Sequence, residues 1–248
     1  MPWFDAHCHV NELDDAAEEI QNALSENVSA MACNAVDLES MKRIMELSRR
    51  FRSIRPFIGM HPSNLLNMSE TELEDAWKFV QENISTAAGV GETGLDYRDA
   101  ETPEQRTMQQ AWFEKHLQLA KEFGKPASVH SRMARDDVLR IVEKTRAKRV
   151  LLHWFMGNES QTSKAIELGC WLSIAPGVLD QPQWKRFAER VPLHKLLLET
   201  DCPVPYNGRQ SKPDWIPRIA EAVAEARKIS VESLEEALEQ NALDWLGV

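Results

Sequence analysis

Eight short apolar runs rich in Val, Ile and Leu, each followed by a longer amphipathic stretch, constrain this chain more than any other feature. Alternation of that kind is the mark of repeated strand–helix units. The strand candidates are residues 3–7, 28–33, 53–59, 87–91, 126–130, 149–153, 170–174 and 195–199. The helix candidates are 14–25, 37–51, 70–83, 103–123, 133–145, 160–168, 182–190 and 214–227, with a last helix at 231–246. Ser69 and Ser230 precede apolar-periodic runs as N-caps do, and Gly124 stands where a C-cap closes the fourth helix. The count predicts an α/β fold, a single (β/α)8 TIM barrel with a C-terminal helix, forming one domain over residues 1–248. An open doubly wound sheet is the competing architecture. Residues 203–213 are the least regular and read as a long loop.

A barrel keeps its active site at the C-terminal ends of its strands, and that is where ligand chemistry collects here. Strand 1 ends in Asp5-Ala6-His7-Cys8-His9, strand 3 in Gly59-Met60-His61-Pro62, and strand 4 in Gly91-Glu92-Thr93-Gly94. Strand 5 ends in His130-Ser131-Arg132, strand 6 in His153-Trp154, and strand 8 in Glu199-Thr200-Asp201-Cys202-Pro203. Five of the seven His fall at these ends; His116 sits in mid-helix and His194 just before strand 8. Steps of 31, 38 and 23 residues separate His61, Glu92, His130 and His153, close to the roughly 30 residues of one strand–helix–strand unit. Strand side chains alternate, so His7 and His9 share a side with Asp5, which is expected to accept a proton from an imidazole. Cys8 points the other way and is expected to pack as a small hydrophobe.

Five imidazoles and two carboxylates exceed the needs of one ion. They fit two divalent metal ions roughly 3.5 to 4 Å apart. The expected ligands are His7, His9 and Asp201 for one ion and His130 and His153 for the other. Glu92, across the barrel from strand 1, bridges them. Such ions lower the pKa of bound water, and Asp201 is expected to act as general base. Mg2+, Mn2+ and Zn2+ all remain open, because imidazoles favour the later metals and phosphoryl chemistry commonly uses Mg2+.

Composition narrows the partners. A net charge of −10 argues against broad adhesion to polyanions, which rests on Lys and Arg, while leaving a nucleic-acid substrate possible where bound cations invert the local field. No apolar window approaches a membrane span, and the first residues lack the layout of a signal peptide. Four scattered Cys suggest reduced, buried thiols. The expectation is a cytoplasmic protein, monomeric, with no membrane and no obligate protein partner.

The motifs together resemble the TatD-like metal-dependent deoxyribonucleases of the amidohydrolase-like barrel superfamily. The resemblance runs from Asp5-Ala6-His7-Cys8-His9 through Gly91-Glu92-Thr93-Gly94-Leu95-Asp96-Tyr97, His130-Ser131-Arg132, His153-Trp154-Phe155-Met156-Gly157 and residues 198–203 to Gln240-Asn241, nearly the whole chain. It implies the same ligands, His7, His9, Glu92, His130, His153 and Asp201, and hydrolysis of DNA phosphodiesters, often from the 3′ end. Met156, where a small Ser is frequent, and residues 209–213, which lack an Asn-Glu, depart from the family pattern at the rim.

Phosphate needs cationic or proton-donating clamps. Arg132 and His61 are the first candidates, with Tyr97, Arg209 and Lys212 further out; Arg132 also reads as a surface charge at a helix start. Trp154 is placed either to stack a base or to pack. Asp96 is expected to orient a ligand. The alternative activity is hydrolysis of a carbonyl substrate, such as a lactone, amide or aminoacyl-tRNA ester, on the same site. The bridging Lys usual in such enzymes is missing from residues 87–94. A non-catalytic scaffold barrel is the remaining reading, and no ligand is missing to favour it.

Overall fold

Each of the eight apolar runs forms a strand in the computed structural model, which describes residues 2–248. Strands β1 (Trp3–Cys8), β2 (Val28–Asn34), β3 (Ile54–Ile58), β4 (Gly89–Asp96), β5 (Ala127–Arg132), β6 (Val150–Leu152), β7 (Trp171–Ile174) and β8 (Leu196–Leu198) lie in parallel in sequence order. Between β8 and β1 the barrel is drawn shut at its C-terminal rim, where Asp201 N donates to His7 O (2.9 Å) and His9 N to Cys202 O (2.6 Å). The expected (β/α)8 barrel is therefore the fold, not the open sheet.

The helices are α1 (Ala16–Ser25), α2 (Leu38–Arg50), α3 (Pro62–Leu65), α4 (Glu70–Asn83), α5 (Pro103–Glu122), α6 (Arg135–Thr145), α7 (Glu159–Glu167), α8 (Pro182–Arg190), α9 (Ile216–Arg227) and α10 (Val231–Leu246). Their starts are written in side chains. Ser69 accepts from Glu72 N and Ser230 from Ser233 N, and Asp37, Thr102 and Asn158 close capping boxes of the same kind, each satisfying an otherwise orphaned N–H. Gly124, at φ +60°, ends α5 in the left-handed region as its residue type predicts.

Two apolar layers hold the fold. One lies between strands and helices, and Cys8 belongs to it. The other fills the barrel with Ala6, Ala32, Phe57, Leu151, Trp171 and Leu197, plugged by Trp245 of α10. Trp245 stacks on Phe57 with centroids 5.1 Å apart and donates its indole N–H to Arg149 O at 3.0 Å. The C-terminal helix thus closes the end opposite the ligands. All four Cys are buried and unpaired in disulfides, and no helix of the described residues is long and apolar enough to cross a membrane.

Four features depart from the sequence reading. Strand β4 runs on to Asp96, past the predicted end at residue 91. The predicted long loop contains a small antiparallel hairpin, β9 (Pro205–Tyr206) with β10 (Arg209–Gln210), and α3 is an unpredicted single turn. Finally, β1 and β4 are bulged where the ligands lie. Asp5 pairs with Met31 and Cys8 with Cys33, while Val90 pairs with Ala127 and Thr93 with Val129, so each ligand strand spends one residue more than its partner. Bulges re-aim side chains in this way beside active sites.

Candidate metal centre

The extra residue in β4 sets Glu92 at the centre of the barrel mouth. Its Oε1 lies 2.8 Å from both His130 Nδ1 and His153 Nε2, while Oε2 lies 3.2 Å from His9 Nε2 and 3.4 Å from His7 Nε2. One carboxylate therefore faces two pairs of imidazoles. Asp201, just past the end of β8, joins the His7 and His9 pair: its Oδ1 is 3.5 Å from both His7 Nε2 and His9 Nε2. Glycine makes this crowding possible. A Cβ on Gly91 would stand 2.5 Å from Asn34 Oδ1, and one on Gly94, at φ +137°, would collide with His130 O.

The far nitrogens of most of these rings are tethered, which fixes ring orientation and tautomer. His7 Nδ1 meets Ser128 Oγ at 2.7 Å, His9 Nδ1 meets Asn34 O at 2.8 Å, and His130 Nε2 meets Asp96 Oδ2 at 2.9 Å. Asp96 thus orients a ligand as expected. His153 Nδ1 is buried without a hydrogen bond, 3.9 Å from Glu199 Oε2. Glu199, which the sequence reading passed over, accepts from Ser173 Oγ (2.6 Å) and Trp154 N (2.8 Å). Its signal was there: a carboxylate at the end of an all-Leu strand is buried, and a buried acid has partners.

Asp5 does not take the place predicted for it. It accepts from His7 N (3.3 Å), Thr200 N (3.1 Å) and Thr200 Oγ1 (2.5 Å), and from no imidazole. The bulge between Asp5 and Cys8 breaks the period-two alternation on which the expectation rested. Cys8 does behave as read, buried with its thiol toward Ala32 O at 3.7 Å.

Electrostatics divides the cluster. Burial pushes His7 down to about 4, helped by His153, and burial does the same to His61. His9 and His130 go the other way. Burial opposes their charging, yet Asp201 and Glu92 hold His9 well above its usual value, and Asp96 and Glu92 raise His130 to about 9. Glu92 is held well below the carboxylate range despite burial, and Asp201 is lowered by His9. Burial, with Asp201's charge, raises Glu199 well above that range. Without cations, then, the carboxylates at the centre are balanced by protons on two imidazoles.

Three sets bring ligand atoms within 4.8 Å of one another: His7, His9 and Asp201; His7, Glu92 and His153; His61, Glu92 and His130. Imidazole nitrogen with carboxylate oxygen is a donor set for divalent metals; Glu92 is common to the second and third sets, and its Oε2 also lies 3.2 Å from His9 and 3.4 Å from His7.

Among the residues expected to bind substrate, His61 is drawn into the cluster, 3.5 Å from Glu92 Oε1. Its Nδ1 accepts from Ser63 N at 3.2 Å, so the neutral ring carries its proton on Nε2. Arg132 keeps a half-exposed guanidinium 4.0 Å from Asp96 Oδ2. The Trp154 ring is half-buried, edge-on to Trp184 with centroids 6.1 Å apart. Tyr97 is not brought to the cluster: its hydroxyl donates to Asp137 at 2.7 Å and accepts from Gln110. Lys212 is paired with Glu19 at 2.5 Å.

Known proteins resemble this chain over nearly its whole length. A family model described as TatD related DNase matches residues 4–247. The human protein named deoxyribonuclease TATDN3 is 32% identical over 256 residues, spanning 96% of this chain and 92% of that one. YcfH of Escherichia coli K12, named an uncharacterized metal-dependent hydrolase, is 31% identical over 96% of this chain and 92% of its own. Among solved structures, the TatD homologue YjjV of Escherichia coli K12 superposes with a TM-score of 0.88 at 24% identity, covering 99% of this chain and 98% of that one; it shows the fold.

Proposed function

The chain belongs to the TatD related DNase family and is a metal-dependent hydrolase, and we propose that it cleaves DNA phosphodiesters from the 3′ end with two divalent ions. The observation that carries this reading is the Glu92 carboxylate, whose two oxygens each face a separate pair of imidazoles. His7, His9 and Asp201 would hold one ion, His130 and His153 the other, and Glu92 both. When bound, the ions supply an activated water and offset the charge that develops on phosphorus oxygens.

The chain's own groups do the rest. Asp201 turns Oδ1 to the imidazoles, leaving Oδ2 to take the water's proton; its lowered pKa keeps it ionised for that task. His61, with its proton on Nε2, donates to a phosphate oxygen. This role suits it better than ligation, because ligation through Nε2 would need that nitrogen free of its proton. Arg132 clamps the phosphate from the rim. Trp154, braced by Trp184, offers a face on which a terminal base stacks. Four unoxidised buried Cys fit a reducing, cytoplasmic setting.

Metal-controlled hydrolysis of a DNA oligonucleotide by the purified protein tests the reading. Chelation must stop cleavage, and re-addition of a divalent ion must restore it.

A further inference from the structure

Asp201 contributes to the centre from an awkward place. It lies beyond the last residue of β8, so the strand ladder does not hold it, and its backbone is in the left-handed region at φ +49°. A non-glycine residue remains there only where its surroundings fix it. By contrast His130 lies within β5, paired with Gly94 of β4, while His153, one residue past β6, is held to β5 by its N–H donating to Val129 O at 3.1 Å. The two halves of the centre are therefore supported differently.

What fixes Asp201 is a buried pair across the seam. Thr200 N and Thr200 Oγ1 donate to the two oxygens of Asp5 at 3.1 and 2.5 Å, and Cys202 N donates to Thr200 Oγ1 at 3.3 Å. Asp5 also accepts from His7 N at 3.3 Å, and Asp201 N donates to His7 O at 2.9 Å. The residues on both sides of Asp201 are thus tied to the strand that carries His7 and His9. Both Asp5 and Thr200 are fully buried, out of reach of substrate.

We propose that Asp5 and Thr200 are a positioning pair that builds only the His7, His9 and Asp201 ion position, by locking Asp201 to β1 across the barrel seam. The inference rests on the two-ion reading above. It makes the two positions unequal: the seam position depends on a side-chain pair, the other on the backbone bonds that hold His130 in β5 and His153 to Val129, and on Asp96 behind His130.

Calorimetric titration of the full chain with Mn2+ tests this without any substrate. The unmodified protein should bind two ions. Thr200→Val, which keeps the shape and loses the hydroxyl, should weaken one of them on the order of ten- to a hundredfold, the usual effect of losing a group behind a ligand, and leave the other unchanged. Thr200→Ser should restore it. Asp96→Asn should weaken the other position, and the double variant both, because the two supports are separate. Wild-type affinities in Thr200→Val, or equal weakening of both ions that Thr200→Ser does not rescue, would overturn the pair's role while leaving the two-ion reading intact. One ion per unmodified chain would overturn both.

Discussion

The imidazoles of His7 and His153 lie face to face, ring centroids 3.8 Å apart and planes within 4° of each other. Rings from the first and sixth strand units so closely stacked cannot both carry charge at low cost, and burial reinforces the point by pushing His7 down to about 4. Its Nε2 lies 3.1 Å from His9 Nε2 and faces Glu92 and Asp201 at 3.4 and 3.5 Å. Charge is carried instead by His9 and His130, on opposite oxygens of Glu92.

Ion binding should therefore expel protons. Both raised imidazoles must become neutral to act as ligands, so about two protons should leave per chain near neutral pH, and apparent affinity should fall as pH drops below about 9, the value of His130. Calorimetry in buffers of differing ionisation enthalpy measures the release directly. A binding enthalpy independent of buffer would show that the ions bind elsewhere.

Glu92→Gln and Asp201→Asn should each lower metal-dependent DNA turnover at least about a thousandfold, as loss of one member of a cooperating set does, with far-ultraviolet circular dichroism unchanged. Undiminished turnover in either variant would remove the assigned ligand and base.

Gly94→Ala tests the close approach of β4 and β5. Its φ of +137° and the collision with His130 O should cost roughly 3 kcal/mol or more, read as a lower urea midpoint. The displaced β5 should also weaken ion binding on the His130 side.

His116, buried in the middle of α5, gives a pH signature away from the centre. Its Nδ1 donates to Trp112 O at 2.7 Å while Nε2 is buried without a partner, and burial pushes its pKa down to about 4. The unfolded ring titrates near 6.5, so the unfolded state binds more protons in between. Stability is full above pH 6.5 and falls as pH drops toward 4, by about 3 kcal/mol from this group. His116→Phe should remove that part of the slope in urea melts compared across the same window.

Much of this was legible in the chain because barrel strands must be apolar and their ends point to one face. The positions of His7, His9, His130, His153 and Asp201 followed from that rule. What escaped was set by tertiary contacts. The predicted fourth strand stops at residue 91, whereas the pairing continues to Asp96 and Gly91 and Gly94 serve the near contacts with Asn34 and His130. The partner of Asp5 was misread because an inserted residue flips side-chain parity, and no local pattern marks a bulge. The hairpin of Pro205–Tyr206 with Arg209–Gln210 is anchored through Tyr206 and Asn207 to Asp180, a contact between distant segments that residue types alone do not announce.

The central claim is tested most directly by one panel: single-stranded DNA, duplex DNA, RNA and a generic carboxylic ester, each incubated with the purified chain and Mg2+, Mn2+, Zn2+ or a chelator. The account predicts metal-dependent release of nucleotides from DNA, abolished by the chelator. Ester turnover with no cleavage of DNA under any metal would contradict it and assign the centre to a carbonyl substrate.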